Sequence, residues 1–108
     1  ALFQQVGIVG AGAFGTALAL TAARAGRTVT LFARDPAQAA EINAKHVNPK
    51  ALKGCRLDKA IRATADLAAL RDCAVVILAL PMQATRYVAE ALGLVLKPGT
   101  PVICTAKG

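Results

Sequence analysis

Residues 6–24 read VGIVGAGAFGTALALTAAR, apolar up to Arg24 and carrying glycine at 7, 10, 12 and 15. A signal peptide needs a basic segment ahead of its apolar stretch, and residues 1–5, ALFQQ, hold no charge. A membrane helix needs about 20 continuous apolar residues. This run reaches that length only through its glycines and threonines, and each glycine is about 1 kcal/mol worse than alanine inside a helix. The glycines make sense if the run is two elements joined by a turn. Residues 3–9 then form a strand and residues 15–25 a helix with Ala and Leu on its inner face.

Between them lies Gly10-Ala11-Gly12-Ala13-Phe14-Gly15, a G-x-G-x-x-G pattern. Each glycine has a separate task in such a turn. Gly10 permits the sharp reversal, Gly12 lets a pyrophosphate approach the backbone, and Gly15 lets the helix pack closely on the strand. The N–H groups at the helix start and the positive end of its dipole then face the phosphates. The pattern alone is common. Its context is what counts: a second strand, RTVTLF at 27–32, follows through Gly26 and completes a βαβ unit.

The end of that second strand reads Phe32-Ala33-Arg34-Asp35. Folds selective for NAD place Asp or Glu here, about 20 residues past the motif, against the ribose 2′-hydroxyl. Ala33 takes the expected acidic place, and Arg34 is suited to a 2′-phosphate or to stacking on adenine. NADP is therefore favoured or tolerated beside NAD. Asp35 and Pro36 read instead as the N-cap and first residue of the next helix.

Further along, residues 37–46 read as a helix and 47–54, VNPKALKG, as a loop. His46, the one histidine, falls near the helix's C-terminus, where a surface role is expected. Residues 60–63 form a short strand and 66–70 a short helix. Residues 74–80, AVVILAL, are a buried strand stopped by Pro81. Apolar residues at 84, 87, 88, 91, 92 and 95 give residues 82–96 a helical face, with Met82 and Tyr87 expected in the core. Residues 100–105, TPVICT, are a fifth strand. The alternation specifies an α/β fold: a Rossmann-type doubly wound parallel sheet of about five strands in a single domain, residues 1–108. The glycine loop, Arg34, Pro81 and Lys107 all follow strand carboxyl ends and are expected along one rim.

Composition agrees. The chain is 56% hydrophobic with a mean hydropathy of +0.50, too apolar for disorder. It carries a formal net charge of +7, but its bases are spread and do not alternate with aromatics. A nucleic-acid partner and membrane insertion are therefore not expected, whereas a phosphorylated small molecule is compatible. Cys55, Cys73 and Cys104 are odd in number and widely spaced, so neither a metal site nor a disulfide framework is expected. Cys73 and Cys104 adjoin apolar runs and read as buried thiols in a reducing cytoplasm.

Taken together, GAGAFGTALA, LFAR, NPKALKG, ALPMQATR and ICTAKG resemble, in order and spacing, the bacterial NAD(P)-dependent glycerol-3-phosphate dehydrogenases. The resemblance implies reduction of dihydroxyacetone phosphate to sn-glycerol 3-phosphate for phospholipid biosynthesis. By it, Gly10, Ala11, Gly12, Ala13, Phe14 and Gly15 would hold the pyrophosphate, Arg34 would meet the adenosine end, and Pro81 would pack near the nicotinamide. Lys107 would lie near both cofactor and substrate, where an ammonium stabilises charge developing on the ketone oxygen or binds the substrate phosphate. The family often has Ser, Tyr, Pro and Ser where this chain has Ala13, Ala51, Lys53 and Met82. Its members carry a helical C-terminal domain with the proton-donating lysine, so residues 1–108 are expected to be a fragment that binds dinucleotide weakly without turnover. The full-length protein is compatible with a homodimer. Ketopantoate reductase, with the same GAGA motif but an Asn-Gly ending, is the nearest alternative. A non-catalytic dinucleotide-sensing module is another.

Overall fold

The computed structural model describes residues 4–52 and 54–105, with the side chain of Met82 outside that description. Five parallel strands run β1 (Gln5–Val9), β2 (Thr28–Phe32), β3 (Ile61–Thr64), β4 (Val75–Leu78) and β5 (Val102–Cys104). Three α-helices connect them: α1 (Ala13–Arg24), α2 (Pro36–Lys45) and α3 (Met82–Val95). A short 3-10 helix, Leu67–Leu70, precedes β4. The strand order is β3-β2-β1-β4-β5. The chain therefore marches outward in one direction through β3, then restarts on the other side of β1. The expected Rossmann topology is the one observed, and its crevice opens where the order reverses, between β1 and β4.

Alternation along each strand builds two cores. Ile8, Val29, Leu31, Ile61 and Val75 face α1 and α2, where they meet Ala19, Ala23, Ala39 and Ile42. Val9, Val76 and Leu78 face the other way, against Leu70, Cys73 and Leu92. Both faces of the sheet are thus covered over its central strands, which is why β1 beyond Gln5 and all of β4 are apolar. Residues at the core of α1 are small (Gly15, Thr16, Ala19, Ala23), so the helix axis approaches the sheet closely.

The register levels the strand ends. Val9 pairs with Phe32 and with Leu78. Phe32 pairs with Thr64, and Leu78 with Cys104. All five strands therefore finish in one row, and the segments that follow them share one rim.

Three expectations are corrected here. Cys104 is exposed, as is all of β5, because among the described residues no helix covers this edge strand. Tyr87 is 77% exposed: α3 buries Leu92 with Val88 and Val95 beside it, and Tyr87 falls outside that stripe. Most element ends also differ from the expected ones, each by one or two residues. At β4, for example, the apolar run of residues 74–80 outlasts the ladder, which spans only Val75–Leu78. Phe3, expected in the first strand, lies outside the described residues.

Candidate dinucleotide cleft

A cleft of about 540 Å³ opens at the strand carboxyl ends, lined among others by Gly10, Gly12, Arg34, Asp35, Lys50 and Pro81. The geometry of the glycine loop explains each glycine. Gly10 sits at φ 118°, and a Cβ there would strike the carbonyl oxygen of Ala79. Its N–H donates to the Phe32 carbonyl at 3.1 Å, pinning the turn to β2. A Cβ on Gly15 would strike the carbonyl oxygen of Gly10, so this glycine sets how closely α1 approaches β1. Gly12 differs: a Cβ there would meet nothing within 4 Å. Its missing side chain is not demanded by the protein's own packing and leaves the backbone open toward the cleft.

Gly12 is also the N-cap of α1. It offers no side-chain cap, and no acidic residue occupies the first turn. The leading N–H groups of a helix have no intrahelical acceptor. Here they add to the positive pole of the dipole and favour an anion. These residues fit the pyrophosphate of a dinucleotide: an approachable backbone, uncommitted donors and no negative side chain at the helix start. Among the described residues, no group of His, Cys, Asp and Glu could hold a metal ion.

Behind the loop lies a polar knot that sequence reasoning missed. Asn48 is 1% exposed, and Gln38 and Thr16 are buried with it. The carbonyl of Ala11 accepts from Asn48 Nδ2 at 2.9 Å and from Gln38 Nε2 at 3.1 Å. Asn48 Nδ2 also donates to Thr16 Oγ1, its Oδ1 accepts from Gln38 Nε2, both at 2.9 Å, and Oδ1 accepts from Lys50 N at 3.0 Å. With two donors on it, the Ala11 carbonyl cannot turn toward an anion in the cleft. Among the described residues, no buried side-chain nitrogen or oxygen of the knot is left without a partner, which is what makes its burial tolerable. The one available signal was Asn48 before Pro49, a polar residue in a loop whose partners lie far along the chain.

At the opposite end, Asp35 caps α2, accepting from Ala37 N at 3.0 Å, with Pro36 as the first helical residue, as expected. Its other oxygen holds Lys50 Nζ at 2.8 Å. The Lys50 hydrogen bond and the Ala37 N–H together keep the Asp35 carboxyl below its ordinary value of 3.8. Arg34 is exposed beside them and lines the same cleft. Ala33 is 1% exposed and packed in the core on the α1 side, so position 33 does not line the cleft. The contrast drawn from its missing carboxylate moves to Arg34, Asp35 and Lys50.

Of the remaining expected site residues, Ala11 and Pro81 line the cleft. Ala13 and Phe14 are exposed in the first turn of α1 but are not part of its lining. Lys107 lies outside the described residues. His46 is half-buried in a left-handed conformation at the end of α2, away from the cleft, with Nδ1 buried and unpartnered.

This geometry has counterparts of known family. The sequence profile described as "NAD-dependent glycerol-3-phosphate dehydrogenase N-terminus" matches residues 5–108. The chain belongs to this family. It is 48% identical over 106 residues to glycerol-3-phosphate dehydrogenase [NAD(P)+] of Azorhizobium caulinodans, covering 98% of this chain and 32% of that protein. It is 49% identical over 105 residues to the protein of the same name from Paramagnetospirillum magneticum, covering 97% and 38%. The crystal structure of glycerol-3-phosphate dehydrogenase from Coxiella burnetii superposes with a TM-score of 0.90 at 29% identity, covering 97% of this chain and 33% of that one. The chain thus spans about a third of the length of the glycerol-3-phosphate dehydrogenases it matches. Among its described residues, no helix is long and apolar enough to cross a membrane.

Proposed function

We propose that residues 1–108 are the cofactor-binding domain of an oxidoreductase that moves a hydride between NAD(P)H and dihydroxyacetone phosphate, giving sn-glycerol 3-phosphate. The observation that carries the reading is the open backbone of Gly12 at the uncapped start of α1, set in a family of glycerol-3-phosphate dehydrogenases. Gly10, Ala11, Gly12, Ala13, Phe14 and Gly15 hold the pyrophosphate through backbone atoms. Asn48 and Gln38 keep that backbone in shape. Arg34 meets the adenosine end, and Pro81 bounds the nicotinamide end.

When bound, the dihydronicotinamide supplies the hydride. The protein's part at that end is to exclude water and to offer a cation where the ketone oxygen gains charge. Lys107 takes this role by the resemblance of its Ala-Lys-Gly segment, binding cofactor and substrate alike. Most substrate contacts and the proton donor belong to a further domain, in keeping with relatives about three times as long. The product is the phospholipid backbone, made in the cytoplasm by a protein that is a homodimer at full length.

The test is calorimetric titration of the protein with NADPH and with NADH. Saturable binding of either, without turnover of dihydroxyacetone phosphate by residues 1–108 alone, is the expected result. Binding of neither overturns the reading.

A further inference from the structure

We infer that Lys50 sets nucleotide specificity in this cleft: it is a second cation, beside Arg34, for a phosphate monoester on the adenosine ribose, and Asp35 competes with that phosphate for it. The inference rests on the dinucleotide reading above. Arg34, Asp35 and Lys50 line one cleft whose other end is the glycine loop. Arg34 follows the carboxyl end of β2, the position at which this fold meets the adenosine ribose. Lys50 reaches the same place from a loop, 15 positions beyond Asp35.

Its two ends are held very differently. The Lys50 N–H is fixed to Asn48 Oδ1 at 3.0 Å, and Asn48 is buried in the polar knot. The base of the side chain is therefore anchored to the knot through its backbone. The ammonium is half-exposed and tethered only to Asp35 Oδ2, at 2.8 Å. An exposed ion pair of this kind is a weak tether. A phosphate monoester carries more charge than one carboxylate and three acceptor oxygens, so it draws the ammonium off Asp35. Asp35 acts in the opposite sense. Its carboxylate is fixed as the α2 cap and repels a phosphate placed beside Arg34. A nucleotide without the 2′-phosphate puts no charge there and leaves the Asp35–Lys50 pair intact. The arrangement accepts both nucleotides, with Lys50 and Asp35 setting the ratio.

The experiment titrates NADPH and NADH into the purified protein and its Lys50→Met, Asp35→Asn and Asp35→Asn/Lys50→Met variants. Asn at 35 still caps α2, so that variant changes charge alone. Lys50→Met is expected to weaken NADPH by about tenfold and NADH by less than about twofold. Asp35→Asn is expected to tighten NADPH by about threefold. The double variant decides the mechanism. If Lys50 meets the phosphate, adding Lys50→Met to Asp35→Asn still weakens NADPH. If Lys50 only neutralises Asp35, it does not, and the inference is overturned. Equal loss of both nucleotides in Lys50→Met, or loss of neither, also overturns it while NADH binding upholds the cofactor reading. Binding of neither nucleotide by the unaltered protein removes both. Should Lys50→Met not fold, the Asp35→Asn arm stands alone: unchanged or weaker NADPH binding there overturns the inference.

Discussion

The side-chain amide of Asn48 donates to the main-chain carbonyl of Ala11 at 2.9 Å, joining two residues 37 positions apart. One arm of the molecule carries the glycine turn, the other a loop with no motif of its own. The bond makes the loop a support for the turn. Replacing Asn48 with Ala leaves Gln38 and Thr16 short of partners in a buried place. An unsatisfied buried polar group costs roughly 1–3 kcal/mol, so Asn48→Ala should lower stability by about 2 kcal/mol in urea unfolding. Asn48→Asp should be worse, since it loses both donors and buries a charge.

The three glycines of the motif should separate cleanly by experiment. Gly15→Ala places a methyl against the Gly10 carbonyl and should cost about 1–3 kcal/mol of stability by overpacking. Gly12→Ala meets open space and should leave the thermal midpoint nearly unchanged. It should nonetheless weaken dinucleotide binding in calorimetry, since the methyl stands between the backbone and the phosphates. Equal destabilisation by both would contradict the division of roles.

Arg34 is exposed and has little to do with holding the fold together. Arg34→Ala should leave the urea midpoint within about 0.5 kcal/mol of the parent. NADPH affinity should fall by about tenfold and NADH affinity by much less.

The Asp35–Lys50 pair predicts a pH dependence with a definite sign. The Asp35 carboxyl titrates below its ordinary value of 3.8, chiefly through Lys50 and then through the Ala37 N–H. Its contribution to stability is therefore complete above the unfolded carboxylate's value and is lost as pH falls through the lower folded one. Thermal midpoints of the parent and of Asp35→Asn should differ most near neutrality and converge below about pH 4. The pair is exposed, so the difference should be small and should shrink further in salt.

Thiol chemistry checks the packing. Cys55 and Cys104 are exposed and Cys73 is buried. Burial pushes the Cys73 thiol up from its ordinary 9.0, against a lowering hydrogen bond with Thr30. A thiol reagent at pH 8 should modify Cys55 and Cys104 quickly, and Cys73 only on unfolding.

The scaffold was legible because its signals are local. The spacing of Gly10, Gly12 and Gly15, the Asp35-Pro36 helix start and the β-branched run before Pro81 each involve neighbours in sequence. They gave five strands in order and put the glycine loop, Arg34 and Pro81 on one rim. What stayed hidden depends on partners far along the chain. Asn48, Gln38 and Lys50 are ordinary polar residues until the fold brings residues 11, 16 and 35 to them. Ala33 was misread because period-2 alternation, which turns it into the core, was not carried past the end of β2. Tyr87 and Cys104 were misread for the complementary reason: apolar neighbours predict burial only where another element arrives to cover them.

The support behind the glycine turn is made of neutral amides and a hydroxyl, whereas the far rim is made of ions. The two ends of the cleft should consequently answer to different solution conditions. Salt will screen charge at both ends, whereas protonation of Asp35 in acid will leave the grip on a pyrophosphate alone and bear only on the choice between a bare and a phosphorylated ribose. On the proposed reading, affinity for the shared part of the two nucleotides and discrimination between them should be separately adjustable in this chain.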